Sequence, residues 1–232
     1  MNGRHPAALL ACLSLAVLAG ACGAASVTVA PSATATPTIA AATTAPVSAV
    51  PAALAWTVSD KSKATVRVRE QLAALNFPSD AVLVATGASG GFGLNDDGTF
   101  ASGSKLTFRV DSLTSDASQR DQFVKQSVLN TRQFPTASFV PAKAAGLTLP
   151  LPVNGTFTFV LSGKLTIHGV DRDVTFDVQA TRVGGDLTAT ARLNPTIKFG
   201  DFVPIPAAPG RVLSVVDEIK LVIDLVATGP KI

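Results

Sequence analysis

From Trp56 onward, apolar residues recur at every second position, and this alternation restricts the chain to a fold built from β-strands. Successive side chains of a strand point to opposite faces, so period two marks one buried face and one solvated face. Val66 and Val68 alternate with Arg67 and Arg69, and Leu106, Phe108 and Val110 alternate with Lys105, Thr107 and Arg109. Near the end, Ile219, Leu221, Ile223 and Leu225 share one face, with Lys220 and Asp224 on the other.

Turn chemistry cuts this pattern at hairpin intervals. Strands are expected at about 56–69, 81–94, 134–140, 153–166, 173–183, 187–199 and 212–227, with one more carrying Leu106, Phe108 and Val110. Asn95-Asp96-Asp97-Gly98, Ile167-His168-Gly169-Val170 and Gly184-Gly185-Asp186 read as tight connections. A short helical turn is expected at 70–76, ended by Pro78. The one full helix is expected at 118–129, after Ser115-Asp116, with Phe123, Val124 and Val128 as its apolar stripe. The fold class expected is therefore all-β, an eight-stranded antiparallel barrel with one short α-helix. About eight strands suffice to close a sheet around a solid core or around one small ligand.

The first quarter of the chain has a different character. Arg4 and His5 precede an unbroken apolar run from Ala7 to Leu18, the pattern of a secretory leader covering residues 1–21. That run falls short of the roughly 20 apolar residues a membrane-spanning helix needs. Leu18-Ala19-Gly20-Ala21-Cys22 resembles a bacterial lipobox, in which small residues precede a cysteine that receives lipid; it departs from that pattern in having Ala19, not leucine, three positions before the cysteine. Cleavage by an ordinary signal peptidase among the small residues 21–25 is the competing expectation. With Cys12 inside the leader, Cys22 is the single cysteine that remains, which excludes an internal disulfide and leaves lipid attachment as a use for it. Residues 22–55 carry no charge and consist largely of Ala, Thr, Ser, Pro and Val, the composition of a flexible linker, and the folded domain is expected at 56–232.

Charge and residue inventory narrow the functional classes. Every charged residue except Arg4 lies beyond residue 55, the net charge is +3, and no Lys/Arg run with interleaved aromatics offers a nucleic-acid surface. His168 is the only histidine after the leader, so a multi-histidine metal site is excluded and no cofactor or metal is expected. Gly87-Ala88-Ser89-Gly90-Gly91 fits the Gly-x-Ser-x-Gly pattern of a hydrolase nucleophile, but that motif needs a strand before it and a helix after it. Here a glycine-rich bend or bulge in a strand is expected, and no catalytic residue is assigned. Asp96-Asp97-Gly98 lacks the alternating carboxylates of a calcium loop and reads as a turn, as does Asn154-Gly155. Asp121 is placed to complement a helix dipole, and Arg120 to tie the helix to a neighbouring loop.

Several ordered segments resemble the YceI-like proteins: Trp56-Thr57-Val58 with Ser62, Arg120-Asp121, Phe134-Pro135-Thr136-Ala137-Ser138-Phe139, Gly163 through Val170, Phe199-Gly200-Asp201-Phe202, and Val216-Asp217-Glu218-Ile219. The resemblance covers nearly all of 56–228 and departs from the best-known members at 70–80, where an insertion-like segment replaces a simple hairpin. It implies an exported bacterial protein with a lipocalin-like barrel that binds polyisoprenoid or another long-chain lipid, without a common enzymatic activity. The pocket-lining candidates are then the inward faces: Leu106, Phe108, Val110, Phe157, Phe159, Leu161, Val174, Phe176, Val178, Leu221, Ile223 and Leu225. The expected function is sequestration or transport of an elongated apolar ligand, in a periplasmic or secreted protein, or one anchored to the membrane through Cys22. The alternative is a non-catalytic surface-interaction or stress-response module with a filled interior. The oligomeric state, monomer or dimer, is left open.

Overall fold

A computed structural model describes residues 54–204 and 210–230. The expected leader, Cys22 and all but the last two residues of the expected linker lie outside the described residues. The alternating segments form nine strands: β1 (Leu54–Val58), β2 (Lys63–Leu72), β3 (Ser79–Leu94), β4 (Lys105–Thr114), β5 (Thr136–Ala145), β6 (Asn154–Ile167), β7 (Val170–Val183), β8 (Asp186–Leu193) and β9 (Val212–Thr228). One helix, α1 (Ser118–Phe123), continues into a π-helical turn at Val124–Val128.

The expectation of an eight-stranded lipocalin-like barrel is corrected here: the strands form one nine-stranded antiparallel sheet, in the order β1-β3-β2-β9-β8-β7-β6-β5-β4. The difference lies at Ser59-Asp60-Lys61-Ser62, four polar residues that the expected 56–69 strand spans because the alternation on either side keeps the same phase. These are turn-forming residues, and Ser59 accepts the Lys61 N–H on its Oγ and the Ser62 N–H on its carbonyl. The turn splits the expected first strand in two. β9 accordingly changes partner, pairing with β1 at Thr57↔Thr228 and Val58↔Ala227, and with β2 from Lys63↔Asp224 onward. The Ser62 hydroxyl fills the gap between them, accepting the Val226 N–H at 2.9 Å and donating to the Val226 carbonyl at 3.1 Å.

Further pairings of β1 with β9 and of β3 with β4 give every strand at least two neighbours. Three smaller expectations also shift. Residues 70–72 lie in β2, paired at Glu70↔Ser79, so the 70–76 segment is only partly a turn. β8 stops at Leu193, before Asn194-Pro195, since proline has no N–H to give a ladder. Asn154 opens β6 and is no turn residue; its Oδ1 accepts the Gly184 N–H at 3.0 Å.

The buried face is continuous. Val174, Phe176, Val178, Ala180 and Arg182 follow one another inward along β7, opposed by Leu187, Ala191 and Leu193 of β8 and by Leu221, Ile223 and Ala227 of β9. Phe139 and Phe176 meet edge to face at 5.2 Å and fill the middle of the core. Gly163 makes that packing possible: a Cβ there would sit 2.5 Å from Phe139 Cζ and 2.5 Å from the Val140 carbonyl oxygen. Gly163→Ala should therefore cost about 2–4 kcal/mol through overpacking against backbone as well as ring. Chemical denaturation of the two proteins checks this, and equal midpoints would contradict the packing described.

Candidate functional site

All twelve inward-facing candidates are withdrawn from full exposure, but they do not form one site. Leu106, Phe108, Val174, Phe176, Val178, Leu221 and Ile223 are buried in the core, and Val110, Leu161 and Leu225 are half-buried against it. Of the twelve, Phe157 and Phe159 line a small apolar cavity. That cavity has a volume of about 40 Å³, and its wall is wholly apolar: Trp56, Phe92, Leu94, Phe100, Ala144, Leu147, Leu151, Phe157, Phe159, Ala180 and Leu187. It lies toward the end of the sheet where β6 begins and β7 ends. Trp56 stacks on Phe92 with ring centroids 5.5 Å apart, and Phe92 meets Phe100 edge-on at 6.2 Å. Residues 146–153 join β5 to β6 without regular structure and press Leu147, Leu149 and Leu151 against the core.

Sequence reasoning stopped short of the residue beside this cavity that departs most from its surroundings. Arg182 continues the inward register of β7 and is 1% exposed. Its Nε–H donates to the Gly184 carbonyl at 2.9 Å, and Nη1 donates to the carbonyls of Leu151 at 3.2 Å and Pro152 at 3.4 Å. Its guanidinium carbon lies 5.4 Å from the centre of the Trp56 ring. The signal that could have found it is a charged residue in an apolar register, since a buried guanidinium is costly unless paired. Leu147 and Leu151 escaped for another reason: they sit in a loop with no period to read.

The remaining motifs resolve into local structure. Ser89 is exposed on β3 opposite Thr107, at a register shift that begins at Thr86, which is the bulge expected of the glycine-rich segment. His168 lies in the β6–β7 turn with φ of +54°, followed by Gly169 at +75°, and its ring packs on Phe134 with centroids 4.3 Å apart. Asp97 Oδ1 accepts the Thr99 hydroxyl at 2.6 Å and the Thr99 N–H at 2.9 Å. Those bonds hold its carboxyl below the ordinary aspartate range, a turn-stabilising role. Among the described residues, no three His, Cys, Asp or Glu side chains gather as a metal site would require. No helix among the described residues is long and apolar enough to cross a membrane. A wider groove of about 520 Å³ along β6–β8 has a mixed lining, with Phe159, Val160 and Val178 beside Thr158, Asp177, Gln179, Thr190 and Arg192.

With this geometry in place, the family model described as YceI-like domain matches residues 56–227. Among solved structures, a polyisoprenoid binding domain from Saccharophagus degradans, implicated in plant cell wall breakdown, aligns with a TM-score of 0.55 at 12% identity, covering 76% of this chain and 99% of its own. BcnA of Burkholderia cenocepacia aligns at 0.52 with 23% identity, over 72% of this chain and 97% of its own. The YceI protein of Campylobacter jejuni aligns at 0.51 with 19% identity, over 70% and 91%. At these identities the likeness is one of fold. A search of curated protein sequences finds no match.

Arg120-Asp121 also has a defined structural role. Asp121 Oδ1 accepts from the Ser115 hydroxyl at 2.6 Å and the Ser115 N–H at 2.8 Å, closing the loop that leads into α1. Arg120 ties that helix both to the loop before it and to a strand: Nη1 pairs with Asp116, and Nη2 donates to Glu70 Oε1 of β2 at 2.6 Å. Burial opposes the guanidinium charge, but hydrogen bonds to Asp116 and Glu70 outweigh it and hold the Arg120 pKa above its ordinary value. The Glu70 side chain is only 8% exposed, so removing its partner strands a carboxylate. Arg120→Met should lower stability by about 2 kcal/mol, and adding Glu70→Gln should recover part of the loss. A double-mutant cycle by denaturant unfolding checks this; strictly additive losses would show the pair to be uncoupled.

Proposed function

The chain belongs to the YceI-like domain family, and on that footing we propose that it binds an elongated apolar ligand, a polyisoprenoid or another long-chain lipid, as a carrier or sequestering protein. The observation that supports this most directly is the wholly apolar cavity beneath the 146–153 loop. As it stands the cavity is far smaller than the roughly 300–1,000 Å³ of a preformed small-molecule pocket. A ligand therefore enters by displacing side chains, and Leu147 and Leu151 are the ones held by irregular backbone and not by a strand ladder. Burial of the ligand chain, at about 25 cal/mol per Å² of apolar surface, drives the exchange without covalent chemistry. The relative from Saccharophagus degradans, described as polyisoprenoid binding, lends the reading a precedent in the same fold.

The second reading, a filled interior whose outer surface meets a partner, has one observation in its favour: Phe77 is 80% exposed and Leu213 is 65% exposed. Trp56 separates the two, because it is the only tryptophan, the chain has no tyrosine, and its ring lines the cavity. An apolar probe taken up by the interior should shift Trp56 fluorescence saturably, and Phe159→Arg should abolish that shift while circular dichroism stays unchanged. Uptake that survives Phe159→Arg, or that is lost on Phe77→Ser, would favour the outer surface instead.

The reading includes export of the 56–232 domain on the 22–55 linker, with Cys22 carrying lipid at the membrane. Mass spectrometry of the mature N-terminus should find a diacylated Cys22; an unmodified cysteine, or cleavage beyond it, ends that part of the proposal.

A further inference from the structure

Five N–H donors belong to an arginine side chain, and at Arg182 the three hydrogen bonds to Gly184, Leu151 and Pro152 engage only Nε and Nη1. Nη2 is fully buried and has no acceptor. Among the described residues Arg182 also has no salt-bridge partner, although it is 1% exposed. The Trp56 Nε1–H, on the ring that Arg182 faces at 5.4 Å, is likewise buried without an acceptor. Two orphaned donors in one contact cluster are unusual, because tryptophan and arginine donors that leave water normally find a partner. Arg182 does not itself line the apolar cavity, but two residues it contacts do. Trp56 is part of the cavity wall, and the Leu151 carbonyl that Arg182 holds belongs to a residue whose side chain is also in that wall.

From these observations we infer that Arg182, with Trp56 Nε1 beside it, is a head-group site for an anionic amphiphile: a long apolar chain ending in a carboxylate or a phosphate monoester. The inference rests on the interior binding an apolar chain, and it adds what selects that chain's end. A carboxylate or phosphate oxygen supplies both the acceptor that Nη2 lacks and the negative charge that the buried guanidinium lacks. Planar, paired donors suit either oxyanion better than a hydroxyl or an ester carbonyl, each of which satisfies the hydrogen bond but leaves the charge uncompensated. The apolar wall contributes affinity that depends on chain length and ignores the head; Arg182 contributes affinity that depends on the head and ignores the length.

These two dependences can be read separately in the full-length protein through Trp56 fluorescence, using dodecanoate, dodecyl phosphate and dodecanol below their aggregation concentrations. The expected result is that one or both anions bind at least about tenfold more tightly than dodecanol. Whichever anion shows the preference identifies the head group. Arg182→Met should reduce that preference to near unity while dodecanol affinity stays within about threefold, and Arg182→Lys should keep part of it. Equal affinity of the wild-type protein for all three ligands overturns the head-group site and leaves the apolar container standing. Binding of none of them overturns the container itself, and the head-group site with it. Should Arg182→Met fail to fold, the wild-type comparison still decides, because it needs no variant; repeating it in high salt should weaken the anions and spare dodecanol.

Discussion

A sheet in which every strand has hydrogen-bonding neighbours on both sides leaves the chain little freedom over what goes inside. Backbone N–H and C=O groups must be paired when buried, and here the pairings β3–β4, β1–β9 and β2–β9 supply those partners where an open sheet would present edges. Each strand then has one face committed to the interior, and a one-residue slip would turn its whole apolar set outward. The Ser62 hydroxyl matters for this reason. It gives the Val226 N–H its acceptor where β9 passes from β1 to β2, while the Val226 carbonyl accepts from both the Ser59 N–H and the Ser62 hydroxyl, so the change of partner leaves neither group unpaired.

Interior width follows from the residues that the register points inward. Large side chains occupy the middle, where Phe139 lies against Phe176 over Gly163. Alanines sit among them at positions 64, 81, 85, 180, 191 and 227, and large and small residues interdigitate to near-solid packing. Toward the end near Trp56 the stacked rings of Trp56 and Phe92 leave a small gap, and loop leucines complete its wall. The cavity is therefore a local consequence of where the strands stop and an irregular loop takes over.

How much of this was legible in the sequence follows the same physics. Period two exposed the inward faces, and all twelve residues taken from it are withdrawn from full exposure. The strand count differs because alternation resumes in the same phase after Ser59-Asp60-Lys61-Ser62, although those four polar residues form a local turn, and the Ser62 bonds that fix it against β9 reach Val226, 164 residues away. The cavity wall was only partly visible: Phe157 and Phe159 lie in an alternating run, whereas Leu147 and Leu151 depend on where a loop folds back. Arg182 was visible in principle. Extending the face Val174, Phe176, Val178 by two further steps reaches it, and the break in polarity there is the sequence trace of the buried charge.

That buried charge also couples the loop to the site. The Nη1 bonds to Leu151 and Pro152 hold the segment that closes the cavity, so moving Leu151 aside for a ligand would strip the guanidinium of two of its three acceptors at the moment the apolar wall is opened. An uncharged ligand would repay the loss through apolar burial alone. An anionic head replaces the lost carbonyls with stronger, charge-assisted acceptors, so opening the loop and recognising the head become one event. The same arrangement explains why an arginine can persist in an otherwise apolar register. With the loop closed, three carbonyls and the face of Trp56 surround a charge that is only partly satisfied. Incomplete satisfaction of a buried group is a stability cost that evolution tolerates chiefly at functional sites.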